Sequence, residues 1–253
     1  SANRGNLVAH GLAPEGIENN EVLYELVTDA GWSSSRIDVR DWLKQYSRNR
    51  YGAAPERLMT AWDYLLKSVY GSFTDHPRFN WQFRPGSVKN GSINMNVDYF
   101  RGLEAFISAS DELKDSPYYL TDLCEMTAHY LGGKAELLTK LIDQEYLLGD
   151  TLQARFLQSR FETLMLGMDR ILSQHPTLRL DRWLSFASKS ARTDAQRIQY
   201  ETNARRIVTI WGPPVDDYAA RIWSGLIGNY YLGRWKEYYR GRESGEAVNL
   251  AEW

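Results

Sequence analysis

Residues 120–148, with the sequence LTDLCEMTAHYLGGKAELLTKLIDQEYLL, decide the fold class of this chain. Their apolar side chains recur every three or four positions, which is the spacing of one face of an α-helix. A second stretch, residues 151–171 with the sequence TLQARFLQSRFETLMLGMDRI, repeats that spacing. Gly132-Gly133 is expected to loosen the first helix, because glycine is a weak helix former. The first apolar stripe is predicted to consist of Leu120, Leu123, Thr127, Leu131, Leu137, Leu141, Ile142 and Leu148, and the second of Leu152, Phe156, Phe161, Leu164, Met168 and Ile171.

Three short helices are predicted before this stretch. The first is capped by Asn19 or Asn20 and ends at Gly31, the favoured residue just past a helix end. Asp38 caps the second helix, and Pro55 lies in the first turn of the third. Their apolar faces are Leu23, Leu26, Val27 and Ala30, then Val39, Trp42, Leu43 and Tyr46, and then Leu58, Trp62, Leu65 and Val69.

Two further helices are predicted towards the C-terminus. One runs from Thr193, carries an apolar stripe that reaches Trp211, and is ended by Gly212-Pro213-Pro214. The other is capped by Asp216 or Asp217. Its apolar face would consist of Tyr218, Ile222 and Leu226.

The remaining long segment, from Gly71 to Asn96, is rich in turn-forming residues and is predicted to be a loop. Repeats of 20–50 residues are absent from the sequence, and strand alternation is confined to short fragments. The chain is therefore predicted to be all-α, an irregular helical bundle.

The composition excludes several functional classes. The formal net charge is −2, from 30 basic and 32 acidic residues, so no basic stripe is available to neutralise nucleic-acid phosphates. No run approaches the roughly 18 consecutive apolar residues that indicate a membrane span. Cys124 is the single cysteine and the histidines share no helix-face spacing, so neither a disulfide nor a zinc cluster is expected. We expect no metal and no organic cofactor.

A Gly/Pro-rich segment, residues 11–22, leads into the first predicted helix and carries Glu15, Glu18 and Glu21. Hydrolysis of a glycoside with retention requires two carboxylates about 5–5.5 Å apart. A glutamate just before a helix is also favoured by the helix dipole without any catalytic role. The residue pattern alone therefore does not single out a catalytic carboxylate.

A series of short motifs, in a fixed order along the chain, adds information that the pattern lacks. They are Gly11-Leu12-Ala13-Pro14-Glu15-Gly16-Ile17, Asn20-Glu21-Val22 with Tyr24, Ala61-Trp62, Leu65-Leu66, Ser68-Val69-Tyr70, Arg84-Pro85, Met95-Asn96, Thr209-Ile210-Trp211-Gly212-Pro213, Asp217-Tyr218-Ala219, Asn229-Tyr230-Tyr231 and Arg234-Trp235. In this order they resemble glycoside hydrolase family 89, the α-N-acetylglucosaminidases. The resemblance covers essentially the whole chain.

The resemblance implies an enzyme with a small N-terminal domain, a (β/α)8-like catalytic barrel and a helical C-terminal domain packed on the barrel. Residues 1–31 would then be the end of the barrel, and residues 32–253 the C-terminal α-helical domain. The chain begins with Ser1-Ala2-Asn3 rather than an initiator methionine, and we expect it to start inside a longer protein.

The resemblance also implies roles for three residues. Glu15 would be the nucleophile of a double-displacement hydrolysis, whereas the acid/base glutamate would lie upstream, where no residue of this chain matches it. The chain alone is therefore expected to be inactive. Trp211 and Tyr218 would help to wall the substrate pocket. The helical pattern alone favours another role for Trp211, in which its ring extends the apolar stripe into the core.

The partners implied by the resemblance are a glycan with a terminal α-linked N-acetylglucosamine and the upstream barrel of the same chain. The implied location is extracytoplasmic, in a periplasm, at a cell surface, in secretions or in a lysosome. A different class of function also fits the aromatic content of 13%. In that alternative the chain is a self-standing helical module that binds glycan or protein without catalysis.

Overall fold

The structure is a computed structural model that describes residue 6 and residues 8–13, 21–70, 78–86, 97–212 and 217–250. Within these residues the chain forms ten α-helices, and no strand is present. The one strand-like contact found there is an isolated parallel bridge between Arg179 and Ser224. The all-α prediction is confirmed. The helices are α1 (Glu21–Trp32), α2 (Val39–Tyr51), α3 (Glu56–Lys67), α4 (Val97–Ser108), α5 (Ser110–Leu113), α6 (Pro117–Leu148), α7 (Thr151–Ser173), α8 (Leu180–Lys189), α9 (Asp194–Val208) and α10 (Leu232–Ser244).

The two long helices α6 and α7 form the centre of the bundle, and their ends follow from local chemistry. Ser116 caps α6 by accepting the N–H of Tyr119 at 3.4 Å. Gly149 ends α6 in the left-handed conformation, at φ 80°. Asp150 then caps α7 by accepting the N–H of Gln153 at 2.9 Å. This short connection folds α7 back along α6.

Two apolar clusters fill the bundle. One lies mainly between α6, α7 and α10, and the other between α2, α3, α4 and the first half of α6. The first includes Phe161, Met165, Met168, Leu172, Tyr231 and Trp235. The second includes Leu43, Leu58, Trp62, Leu65, Phe106 and Tyr119.

The expectation that Gly132-Gly133 would loosen α6 is wrong, because α6 runs through both glycines. The absence of a side chain at Gly132 allows Phe79 to pack directly on the helix, where an added Cβ would lie 2.9 Å from a ring carbon of Phe79 and closer still to a second. Trp81 also donates its indole N–H to the carbonyl oxygen of Gly132 at 2.9 Å. Gly132 therefore marks a close contact rather than a weak point.

Replacing Gly132 with Ala should destabilise the bundle. Overpacking costs about 1–3 kcal/mol, whereas Ala gains at most about 1 kcal/mol over Gly in helix propensity. We expect the free energy of unfolding, measured by urea denaturation, to fall by about 1–2 kcal/mol. Gly167 in α7 is the matched control, since an added Cβ meets nothing within 4 Å. Gly167→Ala should leave stability unchanged or raise it, and equal losses for both variants would contradict the packing argument.

The segment predicted as a long loop contains part of the core. Residues 80–82 form a short 3-10 turn, and Phe79, Trp81 and Phe83 are all buried. The rings of Phe79 and Trp81 stack with centroids 5.4 Å apart. The turn residues of this region therefore flank an aromatic anchor, which the prediction of a loop missed.

Several predicted apolar faces are exposed. α1 contains no buried residue, although Val22 contacts the second cluster at one edge of the helix. Leu152 and Phe156 at the start of α7 are 79% and 56% exposed, so the predicted stripe of α7 is buried only from Phe161 onward. The predicted caps of α1, Asn19 and Asn20, lie outside the described residues. Among the residues that the structure describes, no helix combines the length and apolarity needed to cross a bilayer.

The last predicted helix does not start where the pattern placed it. Asp217 lies in a turn, residues 220–223 are irregular, and Gly225 has a φ of 89°. A π-helical turn, Leu226–Tyr231, follows and continues into α10. The predicted grouping of Tyr218, Ile222 and Leu226 on one helical face is therefore wrong. The alternative cap, Asp216, lies outside the described part of the chain.

Candidate functional site

Trp211 lies beyond the end of its predicted helix, because α9 ends at Val208. Its backbone is left-handed, with a φ of 52°, and its N–H donates to the carbonyl oxygen of Arg206 at 2.7 Å. The residue is 43% exposed and belongs to neither apolar cluster. The alternative in which this ring fills the bundle core is therefore wrong.

Tyr218 is half-buried and lies beside Trp211. The two ring centroids are 5.7 Å apart, with the planes at 68°, an edge-to-face contact favoured by the aromatic quadrupole. The guanidinium of Arg78 covers the Tyr218 ring at 5.5 Å from its centroid. We call Arg78, Trp211 and Tyr218 the aromatic corner.

The aromatic corner rests on the buried carboxylate of Asp217, which is 3% exposed. Nη1 of Arg234 lies 2.9 Å and 3.0 Å from the two carboxylate oxygens of Asp217. The N–H of Arg84 donates to Oδ2 at 3.2 Å, and the hydroxyl of Tyr230 lies 3.4 Å from Oδ1. Burial raises the pKa of Tyr230 to about 12, so its hydroxyl is protonated at neutral pH. A buried charge requires this degree of pairing to be tolerated.

Arg234 and its neighbour Trp235 join this turn to a distant part of the chain. Nη2 of Arg234 donates to the carbonyl oxygen of Gln82 at 2.9 Å, and Nε1 of Trp235 donates to that of Trp81 at 2.8 Å. Nη1 of Arg78 donates to the carbonyl oxygen of Asp217 at 3.0 Å. α10, residues 78–84 and the turn at 217–220 thus form one connected unit next to the rings of Trp211 and Tyr218.

Two positions near these rings have strained backbones. Trp211 and Asp217, with φ of 52° and 60°, are the residues other than glycine found at positive φ in the described ranges. Left-handed conformations cost roughly 1–2 kcal/mol for such residues and cluster at functional sites, where surrounding structure holds them in place. One of these residues, Trp211, belongs to the edge-to-face pair, and the other, Asp217, directly precedes Tyr218.

The predicted nucleophile, Glu15, lies outside the described residues, as does Glu18. Glu21 is the first residue of α1. Its carboxylate is 3.8 Å from Nη2 of Arg50, which forms a tighter pair with Asp122 at 2.7 Å. Glu21 is thus held by an ion pair to α2.

Cys124 and His129 are two further reactive side chains among the residues that the structure describes. Cys124 packs against the first apolar cluster, and burial raises the pKa of its thiol. Burial lowers the pKa of His129, whose Nδ1 faces the carbonyl oxygen of Glu125 at 3.1 Å. In the described ranges, no group of three or more His, Cys, Asp or Glu side chains is arranged to hold a metal ion.

Sequence reasoning did not name Arg78, Asp217 or Arg234 as site residues. A signal was present for two of them, because Asp217 and Arg234 belong to the recurrent motifs Asp217-Tyr218-Ala219 and Arg234-Trp235. The structure brings these motifs together with Arg84-Pro85, from which they are separated by more than a hundred positions. Convergence of distant motifs on one buried carboxylate indicates that they form a single site.

Comparison with known proteins identifies relatives over this whole region. The profile of the alpha-N-acetylglucosaminidase (NAGLU) C-terminal domain family matches residues 42–249. Human alpha-N-acetylglucosaminidase is 32% identical over an alignment of 241 residues that covers 91% of this chain and 32% of the human protein.

Solved structures of a family 89 glycoside hydrolase from Clostridium perfringens have the same fold. Its complex with PUGNAc matches with a TM-score of 0.82 and 27% identity, over 91% of this chain and 29% of that chain. Its complex with the substrate GlcNAc-alpha-1,4-galactose matches with a TM-score of 0.82 and 26% identity, over the same shares of the two chains. The chain therefore spans about a third of the length of the relatives it matches.

Proposed function

Since this chain belongs to the alpha-N-acetylglucosaminidase C-terminal domain family, within glycoside hydrolase family 89, we propose that it completes the substrate pocket of a larger retaining glycosidase. The proposed reaction of the complete protein is hydrolysis of a terminal α-linked N-acetylglucosamine from a glycoconjugate. The observation that carries the proposal is the aromatic corner, in which the 43% exposed Trp211 contacts the half-buried Tyr218 and neither ring belongs to an apolar cluster. A partly exposed pair of aromatic rings next to hydrogen-bonded polar groups suits an apolar sugar face.

The division of labour within the complete protein forms part of this proposal. Residues 1–31 would close the catalytic barrel, and residues 32–253 would form the helical domain that packs on it. The profile match begins at residue 42, inside α2, which agrees with a boundary near that point. α1 supports the same division, because Leu23 and Val27 on its apolar face are exposed. In the complete protein the barrel would cover the exposed part of this face.

Glu15 would act as the nucleophile by attacking the anomeric carbon and displacing the aglycone oxygen. A carboxylic acid on the upstream barrel would protonate that oxygen and later activate the water that releases the sugar. No bound metal or organic cofactor is required for these two displacements. Trp211 and Tyr218 would wall the pocket and restrict the sugar to the pose in which the anomeric carbon faces Glu15. We place the complete protein outside the cytoplasm, on the resemblance alone.

A comparison of the chain with and without its upstream region tests the function as a whole. We expect no hydrolysis of aryl α-N-acetylglucosaminides by the 253-residue chain, and hydrolysis by the complete protein. Glycan binding by the chain alone, with no activity after the upstream region is added, would favour the self-standing binding module. Retention is checked by following the anomeric configuration of the first product by NMR.

Replacing Trp211 with Ala in the complete protein should lower kcat/KM by roughly 10- to 100-fold, equivalent to about 1.4–2.7 kcal/mol of transition-state binding. Stability should change little, because the ring is 43% exposed and its truncation leaves no large cavity. Steady-state kinetics and the thermal midpoint are measured on the same preparation.

Phe156→Ala is the matched control, since this ring is 56% exposed at the start of α7 and lies outside the aromatic corner. It should keep kcat/KM within about twofold of the parent. A parental kcat/KM for Trp211→Ala would show that Trp211 does not line the pocket.

A further inference from the structure

We propose that Arg78 is a positioning residue for the sugar pocket, acting by holding the ring of Tyr218 against Trp211. This inference rests on the proposed function. Arg78 contacts the Tyr218 turn twice, because its guanidinium covers the ring at 5.5 Å and its Nη1 donates to the carbonyl oxygen of Asp217 at 3.0 Å. One side chain thereby fixes both the backbone that carries Tyr218 and the face of its ring.

The contacts of Asp217 fix the backbone of the turn but not the ring of Tyr218, so the ring has to be held by Arg78. The carboxylate of Asp217 is held by Arg234 and by the N–H of Arg84, so the backbone of the turn is fixed from below. A tyrosine ring has two further rotatable bonds beyond its backbone, and pairing the backbone does not restrict them. The guanidinium over the Tyr218 ring and the edge-to-face contact with Trp211 together restrict the orientation of the ring.

Arginine suits this position better than lysine. Its planar guanidinium stacks on an aromatic face while its N–H groups donate sideways to a carbonyl oxygen. Lysine places a point charge over the ring and donates through the same nitrogen, so it retains the charge but not both contacts in one geometry. Methionine has a similar length and removes the charge and the hydrogen bond together.

Arg78 itself is placed by the aromatic anchor described above. The next residue, Phe79, is buried against Gly132, and Trp81 and Gln82 are bonded to α6 and α10. Arg78 therefore directly precedes a segment that is anchored to two helices. A side chain on an anchored segment can hold the group it contacts, here the ring of Tyr218, in a defined position.

The test uses the complete protein and an aryl α-N-acetylglucosaminide as substrate. We expect Arg78→Met to lower kcat/KM by about 5- to 30-fold, the range of a cation–π contact between exposed and desolvated limits. Arg78→Lys should recover part of the loss. In a Tyr218→Ala background, Arg78→Met should change kcat/KM by less than about twofold, because the ring through which Arg78 is proposed to act has been removed. Arg182→Met is the control, since Arg182 covers Phe186 at 5.4 Å in α8, and should keep the parental value.

The outcomes separate this inference from the proposed function. If Tyr218→Ala is impaired and Arg78→Met is not, the positioning role is overturned and the pocket stands. If Arg78→Met has the same effect with and without Tyr218, Arg78 does not act through that ring, and the inference fails. Parental activity for both Trp211→Ala and Tyr218→Ala would overturn the proposed pocket. Circular dichroism and the thermal midpoint establish that each variant is folded; should Arg78→Met fail to fold, Arg78→Lys provides the same comparison in both backgrounds.

Discussion

Replacing Glu15 with Gln in the complete protein is expected to abolish turnover of aryl α-N-acetylglucosaminides while leaving the protein folded. Gln has nearly the same shape, but it cannot attack the anomeric carbon and form a covalent glycosyl intermediate. The loss of kcat should be at least ~1,000-fold, equivalent to about 4 kcal/mol of barrier lowering. Steady-state kinetics on the purified variant measure it, and circular dichroism checks the fold.

Glu18→Gln and Glu21→Gln are the matched controls, because both residues lie in the same segment and carry the same charge. Each should retain more than a tenth of the parental kcat. Retention of more than about a tenth of the activity by Glu15→Gln would assign the nucleophile to another carboxylate. A large loss at Glu21 alone would point to that residue, which begins α1.

Replacing Arg234 with Met should destabilise the helical domain by about 3–5 kcal/mol, because the carboxylate of Asp217 would remain buried without its cation. Arg234 is 1% exposed and Asp217 3%, so water does not replace the lost partner. The variant also loses the hydrogen bond to Gln82. The free energy of unfolding is measured in urea, together with the thermal midpoint.

Lys236→Met is the control on the same helix. Lys236 pairs with Glu162 at 2.7 Å, but both side chains are about half exposed, at 56% and 42%. A solvent-exposed pair of this kind contributes at most about 1 kcal/mol. Similar losses in the free energy of unfolding for the two variants would show that burial does not determine the contribution of the Asp217–Arg234 pair to stability.

The sequence predicts the helices best where a cap and an apolar stripe coincide. Asp38 accepts the N–H of Asp41 as a cap should, and Leu43 and Tyr46 of α2 are buried. An apolar stripe does not predict burial within the domain where the surface that would cover it belongs to another part of the protein. Leu23 and Val27 have the correct spacing but are 44% and 37% exposed, because periodicity reports an apolar face and not what covers it.

Irregular backbone explains most of the other differences. Phe79, Trp81 and Phe83 alternate within a segment rich in turn residues, and this alternation is the signal that was available for the buried anchor. The π-helical start of α10 has no such signal, since Leu226 and Tyr231 fit an ordinary helix equally well. Sequence patterns describe regular structure and carry little information about π turns.

The candidate site shows the same limit. The resemblance predicts Trp211 and Tyr218 as site residues. The helical pattern instead placed Trp211 on the apolar stripe of α9, but α9 ends at Val208, before Trp211. Arg78 is absent from the motifs. Its proposed role depends on two contacts with residues that are distant in sequence, Asp217 and Tyr218. Local spacing cannot predict a contact between residues 78 and 217, because nothing in either segment encodes the other's position.

The bonds from Arg234 to Gln82 and from Trp235 to Trp81 span 152 and 154 positions of the chain. During synthesis at roughly 5–20 residues per second, the aromatic anchor would leave the ribosome on the order of ten seconds before α10 exists to receive it. Phe79 and Trp81 would meanwhile present unburied rings, which favours aggregation and engagement by chaperones. Nascent-chain yield should therefore depend on α10 more strongly than the equilibrium stability of the finished protein suggests.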